Sequence, residues 1–396
     1  MKLNNGLVVL DKHNVHQTVH IAAFVKVGTK NEEDFPAGTA HFMEHMLFKG
    51  TQSFTAQQLA DEMDAIGGEV NAYTTKEYTC YTIKTLQRFE ERAIHLLDEM
   101  LNCSTFPEEE VRREQQVILE EIKMTEDDPE DLIYEVFQEQ AFSNTPFAVP
   151  ILGTKASVGQ IDREVLINFY SRFYRADHII ISYAGQDSTV LRDVFSRMTP
   201  AQTDKAAPID YRFEPFSDVQ HHDYEQAHLL IGYDAVGYHH PLYDAFSLFS
   251  SMFGESVSSP LFRRLREELG LCYNVYSSLD AYSEGGVFSI YIACDHTAVE
   301  EAASEIDRLL AAFKDQVTEE QLTRAKTYLI TNAYMNNDYD GHIMMRNGQS
   351  YMYYGRVVTL EEFEAHIEAI TLTDIHKVLQ MLAVQPSRMT FTKSLS

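Results

Sequence analysis

Two strand-like runs, each opening a similar programme of elements, constrain this chain most. The first is His16-Gln17-Thr18-Val19-His20-Ile21-Ala22-Ala23-Phe24-Val25 and the second is Gln226-Ala227-His228-Leu229-Leu230-Ile231-Gly232-Tyr233. Each proceeds to a helical stretch, a glycine stop and further strand-like runs. A weak internal repeat follows, in which Phe48-Lys49-Gly50-Thr51 resembles Phe253-Gly254-Glu255-Ser256. At 396 residues the chain is too long for one typical domain, and two of about 200 residues are expected. The stretch from Thr199 to Asp218 holds Pro200, Pro208 and Pro215 without sustained helical periodicity, which suits a connection. The expected division is a domain over 1–200, a linker over 201–218 and a homologous domain over 219–396.

Within the first half, His41-Phe42-Met43-Glu44-His45 places two imidazoles and a carboxylate on one helical face. Two neutral imidazoles at i and i+4 can ligate one zinc ion, with the intervening carboxylate left beside a metal-bound water. This is the inverted H-x-x-E-H order. The corresponding stretch of the second half, Ser247-Leu248-Phe249-Ser250-Ser251, contains no ligand-type residue. Only the first half is therefore expected to hold metal.

A catalytic zinc site usually takes a third protein ligand from another element. Pro107-Glu108-Glu109-Glu110 reads as a helix first turn, continued by a stripe of Val111, Val117, Ile118 and Ile122. On it Glu114 and Glu121 lie two turns apart and share a face. Spacing alone leaves Glu114, Glu120 and Glu121 all open as the third ligand.

The segment from Gly38 to Thr51, with His41, Glu44 and His45 inside it, resembles the signature of the pitrilysin (M16) zinc metallopeptidases. The resemblance is closest to the subfamily of the mitochondrial processing peptidase and its bacterial relatives, and it covers nearly the whole chain. That family takes its third ligand from a glutamate 76 positions after the second histidine, within E-x6-E, and Glu121 has that spacing here (121 − 45 = 76). The resemblance implies one zinc per chain held by His41, His45 and Glu121, with Glu44 as base and Glu114 in support. It also implies an α+β fold of two homologous α/β domains. Each would be a mixed, mainly antiparallel sheet with helices packed on it, the two forming a clam-shell chamber.

Other assignments follow along the chain, some from the residues themselves and some from the same likeness. Thr55-Ala56-Gln57-Gln58 reads as a capping box, and Gly67-Gly68 as the stop of the helix it opens. The alternating run after it contains Asn71, Ala72 and Tyr73, and the resemblance makes it the edge strand onto which an extended peptide adds. Arg266-Glu267-Glu268-Leu269-Gly270-Leu271-Cys272-Tyr273 resembles the second-domain pattern R-E-x-x-G-L-x-Y. Arg266 and Tyr273 are then expected to donate to a substrate carbonyl and steady its oxyanion. The acid run Glu126–Asp131 reads as a solvated turn, yet Asp131 and Glu135 stand where the processing peptidases engage a substrate arginine.

Composition narrows the partners. A formal charge of −28 argues against nucleic acid and against an anionic membrane surface, and such a field draws in cationic peptides. No apolar run approaches a membrane span, and no signal-peptide core opens the chain. Four scattered cysteines suggest reduced thiols in a cytoplasmic protein. The pairs His221-His222 and His239-His240 read as loop or strand residues rather than ligands. The expected function is a zinc-dependent endopeptidase hydrolysing short or unfolded peptides, with a basic preference, as a homodimer. The competing expectations are a non-catalytic assembly subunit of the same fold and a peptide-binding chaperone without turnover.

Overall fold

The computed structural model describes residues 1–200 and 209–394. Its chain forms two compact units, each organised around a five-stranded mixed sheet. In the first unit the strands are β1 (Val8–His13), β2 (Thr18–Val25), β3 (Glu69–Thr74), β4 (Thr79–Leu86) and β5 (Ile179–Gly185), ordered β1-β5-β2-β4-β3. Only β1 and β5 run parallel; the other neighbours are antiparallel, with Ile21 opposite both Ile83 and Tyr183.

Both faces of this sheet are covered, and β2 shows why its sequence is apolar almost throughout. Val19, Ile21, Ala23 and Val25 enter the larger core, packed with Phe42, Met43 and Met46 of α1 (Thr39–Met46). Ile94, Leu97 and Leu101 of a later helix, Glu90–Cys103, join the same core. Ala22 and Phe24 point the other way into a smaller cluster with Tyr78, Cys80 and Met344. A strand buried on both sides has no polar face to present. α2 (Ala56–Ala65) follows α1; Thr55 accepts from the Gln58 N–H while Gln58 reaches back, so the capping box forms as expected.

The second unit repeats the plan with β6 (Ser217–His221), β7 (Ala227–Ala235), β8 (Cys272–Ala281), β9 (Gly286–Cys294) and β10 (Ser387–Thr392), ordered β6-β10-β7-β9-β8. The parallel pair again lies at one edge, between β6 and β10. Five added to each label of the first sheet gives the second, so the repeat read from the sequence is a duplication of topology.

Chain order and compact units part company at two helices. The first unit gathers Met1–Met124, Val149–Ile209 (of which 201–208 lie outside the described residues) and Asn336–Val358. The helix Asp340–Tyr354 therefore covers the second face of β2 and β5, although it comes late in the chain. Reciprocally, Pro129–Ala141 comes early and packs on β7 and β10 of the second unit. The two seams use the same device in opposite senses. A Cβ on Gly348 of the late helix would meet the Phe24 ring at 2.0 Å, and a Cβ on Gly232 of β7 would meet the Phe137 ring at 2.2 Å. A ring seated against a glycine lets helix and sheet approach closely.

The expected linker over 201–218 falls partly on residues 201–208, outside the described residues, and β6 already begins at Ser217. All four cysteines are free, and among the described residues no helix is long and apolar enough to cross a membrane.

Candidate metal centre

The first unit brings α1 against a long helix, Glu108–Asp127, whose buried stripe is Val111, Glu114, Ile118 and Ile122. Val117 was expected in that stripe and is instead 43% exposed; it lies one position before Ile118, and successive residues on a helix are turned too far apart to share a face. Glu114 takes a core position, and the site accounts for it.

His41 and His45 stack edge to face with ring centroids 4.7 Å apart. Their Nε2 atoms lie 3.9 and 3.5 Å from Glu121 Oε2. One ligand atom from each of the three falls within 4.8 Å of the others, and among the described residues this is the group that meets that geometry. The structure thus brings Glu121 to both imidazoles, while Glu120 turns outward to pair with Lys123. Glu114 lies behind His45: its Oε2 is 3.0 Å from His45 Nδ1, and Lys49 Nζ is 2.8 Å from its other oxygen.

The electrostatics follow from that arrangement. Burial alone would raise Glu114, but the bonds from His45 and Lys49 hold it below its ordinary carboxylate value. It is therefore an acceptor, so His45 donates from Nδ1 and turns a bare Nε2 toward Glu121. Burial pulls His41 down to about 3, helped by the nearby His45, so its imidazole is neutral. For His45 burial is outweighed by the Glu114 bond and by the fields of Glu121 and Glu44, and its pKa is raised.

Glu44 shares α1 with the histidines and is 9% exposed. Its Oε2 accepts from the Thr74 hydroxyl at 2.6 Å. Burial raises its pKa, Thr74 and His45 pull it back, and Glu121 adds to the rise. One carboxylate oxygen is thereby fixed to the end of β3, and the carboxyl as a whole is made more basic. Two imidazoles and one carboxylate, with the Glu44 carboxyl beside them, are a donor set suited to zinc that leaves a fourth position open.

Among the described residues β3 is an edge strand, paired with β4 alone, through Asn71 to Thr82, Ala72 to Tyr81 and Tyr73 to Cys80. Val70 and Ala72 pack toward the core that contains α1. Tyr73 packs on the opposite face, its hydroxyl 3.3 Å from that of Tyr78. The unpaired backbone edge of β3, rather than the Tyr73 ring, is what the sheet offers beside the metal helix.

In the second unit Arg266 and Tyr273 do meet. The Arg266 guanidinium lies 4.6 Å over the Phe262 ring and 4.5 Å over the Tyr273 ring, and donates to the Tyr273 carbonyl at 3.1 Å. Tyr273 occupies a register shift at the start of edge strand β8 and is 78% exposed. The acid run Glu126–Asp131 is largely solvent-facing, as expected, but it is the junction of two helices rather than a turn. The preceding helix ends at Asp127, Asp128 caps the next through the Glu130 and Asp131 N–H groups, and Pro129 opens it. Asp131 and Glu135 therefore stand on a helix; burial first, then Asp128 and Glu130, raise the Asp131 pKa. His222 stacks on Tyr224, and His228 Nδ1 lies 2.7 Å from the Tyr291 hydroxyl, so both are occupied structurally.

Three residues of the site carried no role in the sequence reading: Thr74, Lys49 and Glu32. Glu32 accepts from two first-turn N–H groups of α1. Lys49 lies four residues beyond His45, just past the end of α1, whereas Thr74 and Glu32 reach α1 only through tertiary structure.

The insulinase (peptidase family M16) model matches residues 7–155, and the model described as peptidase M16 inactive domain matches 160–329. An uncharacterized zinc protease of Rickettsia bellii is 34% identical over 382 residues, covering 94% of this chain and 92% of that protein. One from Bacillus subtilis is 32% identical over 385 residues, covering 96% and 94%. Among solved structures, a protease from Helicobacter pylori superposes with a TM-score of 0.90 at 21% identity, covering 99% of this chain and 98% of that one. A peptidase M16 inactive domain structure from Pseudomonas fluorescens gives 0.92 at 18% identity, covering 100% and 98%. At those identities the two structures establish the fold.

Proposed function

Because this chain belongs to peptidase family M16, we propose that it is a zinc-dependent endopeptidase of the processing-peptidase-like subfamily, acting on short or unfolded peptides. The observation that carries the reading is the convergence of His41, His45 and Glu121 next to Glu44. His41 and His45 would hold zinc through Nε2 and Glu121 through a carboxylate oxygen. Bound there, zinc would supply Lewis-acid charge that acidifies water and polarises a carbonyl. Glu44, beside those ligands, would act as the base that takes a proton from water and returns it to the leaving amine. Thr74 holds one Glu44 oxygen, so the other is the one left for proton transfer. The edge of β3 at Asn71, Ala72 and Tyr73 supports backbone pairing with an extended peptide, which is tolerant of sequence.

Arg266 and Tyr273 enter the proposal as donors to the substrate carbonyl, and Asp131 and Glu135 as acids selecting a basic side chain. One zinc per chain, a chamber and a homodimer complete it. The test is cleavage of a quenched fluorescent peptide containing arginine, wild type against Glu44→Gln, with zinc assayed in both. Turnover by wild type alone, with one zinc per chain in each, supports the peptidase and its base. Zinc-free protein that stays inactive when zinc is added back favours the assembly subunit. Equal cleavage of Arg-to-Ala peptides removes the basic preference.

A further inference from the structure

The metal helix begins at a residue that cannot cap it. Gly38 has φ 87°, and a Cβ there would meet the Leu152 carbonyl oxygen at 2.6 Å, so Ser or Asp is excluded from the N-cap position. The cap is supplied from upstream. Glu32 Oε2 accepts from the Gly38 N–H at 2.8 Å and its Oε1 from the Ala40 N–H at 2.6 Å. Glu32 is 4% exposed. Burial pushes its carboxyl up to about 8, against the pull of the Ala40 and Gly38 N–H groups and of Lys76. Both oxygens accept from N–H donors, and a protonated carboxyl would have to weaken one of those bonds, so the geometry fits the ionised form.

The loop that carries Glu32 is fastened to the turn between β3 and β4. Thr29 N–H donates to the Thr75 carbonyl at 3.2 Å and Lys30 N–H to that of Lys76 at 2.9 Å. Lys30 Nζ pairs with Glu77 at 2.5 Å, both side chains buried, and Lys76 Nζ donates to the Val149 carbonyl. Gly28 has no room for a Cβ, which would meet the Thr75 carbonyl oxygen at 2.3 Å. One end of that turn is β3, whose Thr74 holds Glu44. The metal helix is thus tied to the same hairpin twice: at its first turn through Glu32, and in its middle through Glu44 and Thr74.

We propose that Glu32 is a positioning residue for the metal centre: acting through the Gly38 and Ala40 amides, it fixes how α1 seats against the β3–β4 hairpin. It thereby sets how His41 and His45 present their ring nitrogens to Glu121. The inference rests on the metal-binding part of the reading above and not on the reaction. A purely scaffolding carboxylate would affect stability without changing the ligand field.

The test uses the full chain loaded with cobalt(II) in place of zinc, with Glu32→Gln as the main variant. Glutamine keeps the size, but its amide nitrogen faces an N–H donor and one cap bond is lost. The variant is expected to retain native circular dichroism and bind one cobalt per chain, with shifted or weakened d–d bands. Amide exchange at Ala40 in metal-free protein should speed by about tenfold. In the zinc form, kcat should fall by at least about tenfold with KM within about twofold. Wild-type cobalt bands together with wild-type Ala40 exchange overturn the proposal. If Glu32→Gln does not fold, Glu32→Asp, which keeps the charge and shortens the reach, carries the same spectral test: altered bands support it and unaltered bands overturn it. A wild-type chain that takes up cobalt but cleaves nothing overturns the peptidase reading and leaves these spectral and exchange readouts in force. One that takes up no cobalt overturns this proposal.

Discussion

Removing Glu114 tests whether the buried carboxylate behind His45 is a working part of the metal centre. It accepts from His45 Nδ1 at 3.0 Å and pairs with Lys49 at 2.8 Å, while being almost wholly buried. A hydrogen bond to a charged group contributes about 1.5–3 kcal/mol, and each 1.4 kcal/mol is about tenfold in a binding constant. Glu114→Leu should therefore weaken zinc binding by roughly 10- to 100-fold, the range expected when a ligand loses its outer partner. Lys49 is partly exposed and can turn to water, so the substitution leaves no buried cation behind. Glu114→Gln keeps an acceptor for Nδ1–H without the charge and should sit near the lower end, about tenfold. Both are measured by competition of metal-free protein against a chromophoric zinc chelator at pH 8, with circular dichroism and thermal unfolding as controls. A natively folded Glu114→Leu protein that binds zinc within about threefold of wild type refutes the reasoning, because His45 would then need no carboxylate to set its tautomer.

Three further outcomes concern the same centre, and a fourth concerns the seam behind it. Zinc affinity should climb with pH through the raised pKa of His45 and then level off, since a proton must leave that ring; the proton count is read by calorimetry in buffers of different ionisation enthalpy. His41, held down to about 3, binds fewer protons folded than unfolded below its ordinary value of 6.5, so metal-free protein should lose stability as pH falls from 6.5 toward 3, seen as a falling denaturant midpoint in a His41-dependent way. Thr74→Val removes the hydroxyl on Glu44 and should lower kcat by about tenfold with zinc content unchanged, a result checked by steady-state kinetics and metal analysis. Gly348→Ala forces a Cβ into the Phe24 ring and should cost about 1–3 kcal/mol, measured by urea unfolding; no loss would mean the late helix does not seat on β2 as closely as described.

The metal centre was legible where its geometry is local and obscure where it is not. His41, Glu44 and His45 are set by the period of one helix, so five residues sufficed to place them on one face. Glu121 was among the acids left open by spacing, and only the resemblance singled it out. Thr74 and Glu32 are different in kind. A threonine in an alternating strand and a glutamate in a loop carry no mark of the helix they serve, because those contacts arise only once the sheet forms. The exchanged helices fail for a related reason: an apolar face on Asp340–Tyr354 says that it is buried, but nothing in its own period says against which sheet. The misread acid run is another matter. Asp128-Pro129 is an N-cap followed by a proline at the first helical position, and that signal was present but outweighed by the density of charge.

The duplication also bears on why, among the described residues, one copy alone holds the candidate ligand group. The helix after β2 must bury Glu44 and stand against Glu114, and each of these groups needs a partner; Thr74 and Lys49 with His45 provide them. Unsatisfied, a buried polar group costs on the order of 1–3 kcal/mol. The first helix after β7, Tyr243–Ser250, instead buries Phe246, Leu248 and Phe249. Phe249 packs on Phe253, Phe288 and Phe313. Among the described residues the second unit presents no ligand group; the polar groups it buries at that place are serines, with Ser277 donating to the Ser250 carbonyl at 2.9 Å. Two histidines introduced at 247 and 251 would therefore fail to make a second centre: without counterparts of Glu114, Thr74 and Glu32, the imidazoles would have neither a fixed tautomer nor a held helix. The polar residues around His41, His45 and Glu121, as much as those three, distinguish the copy that holds the candidate metal group.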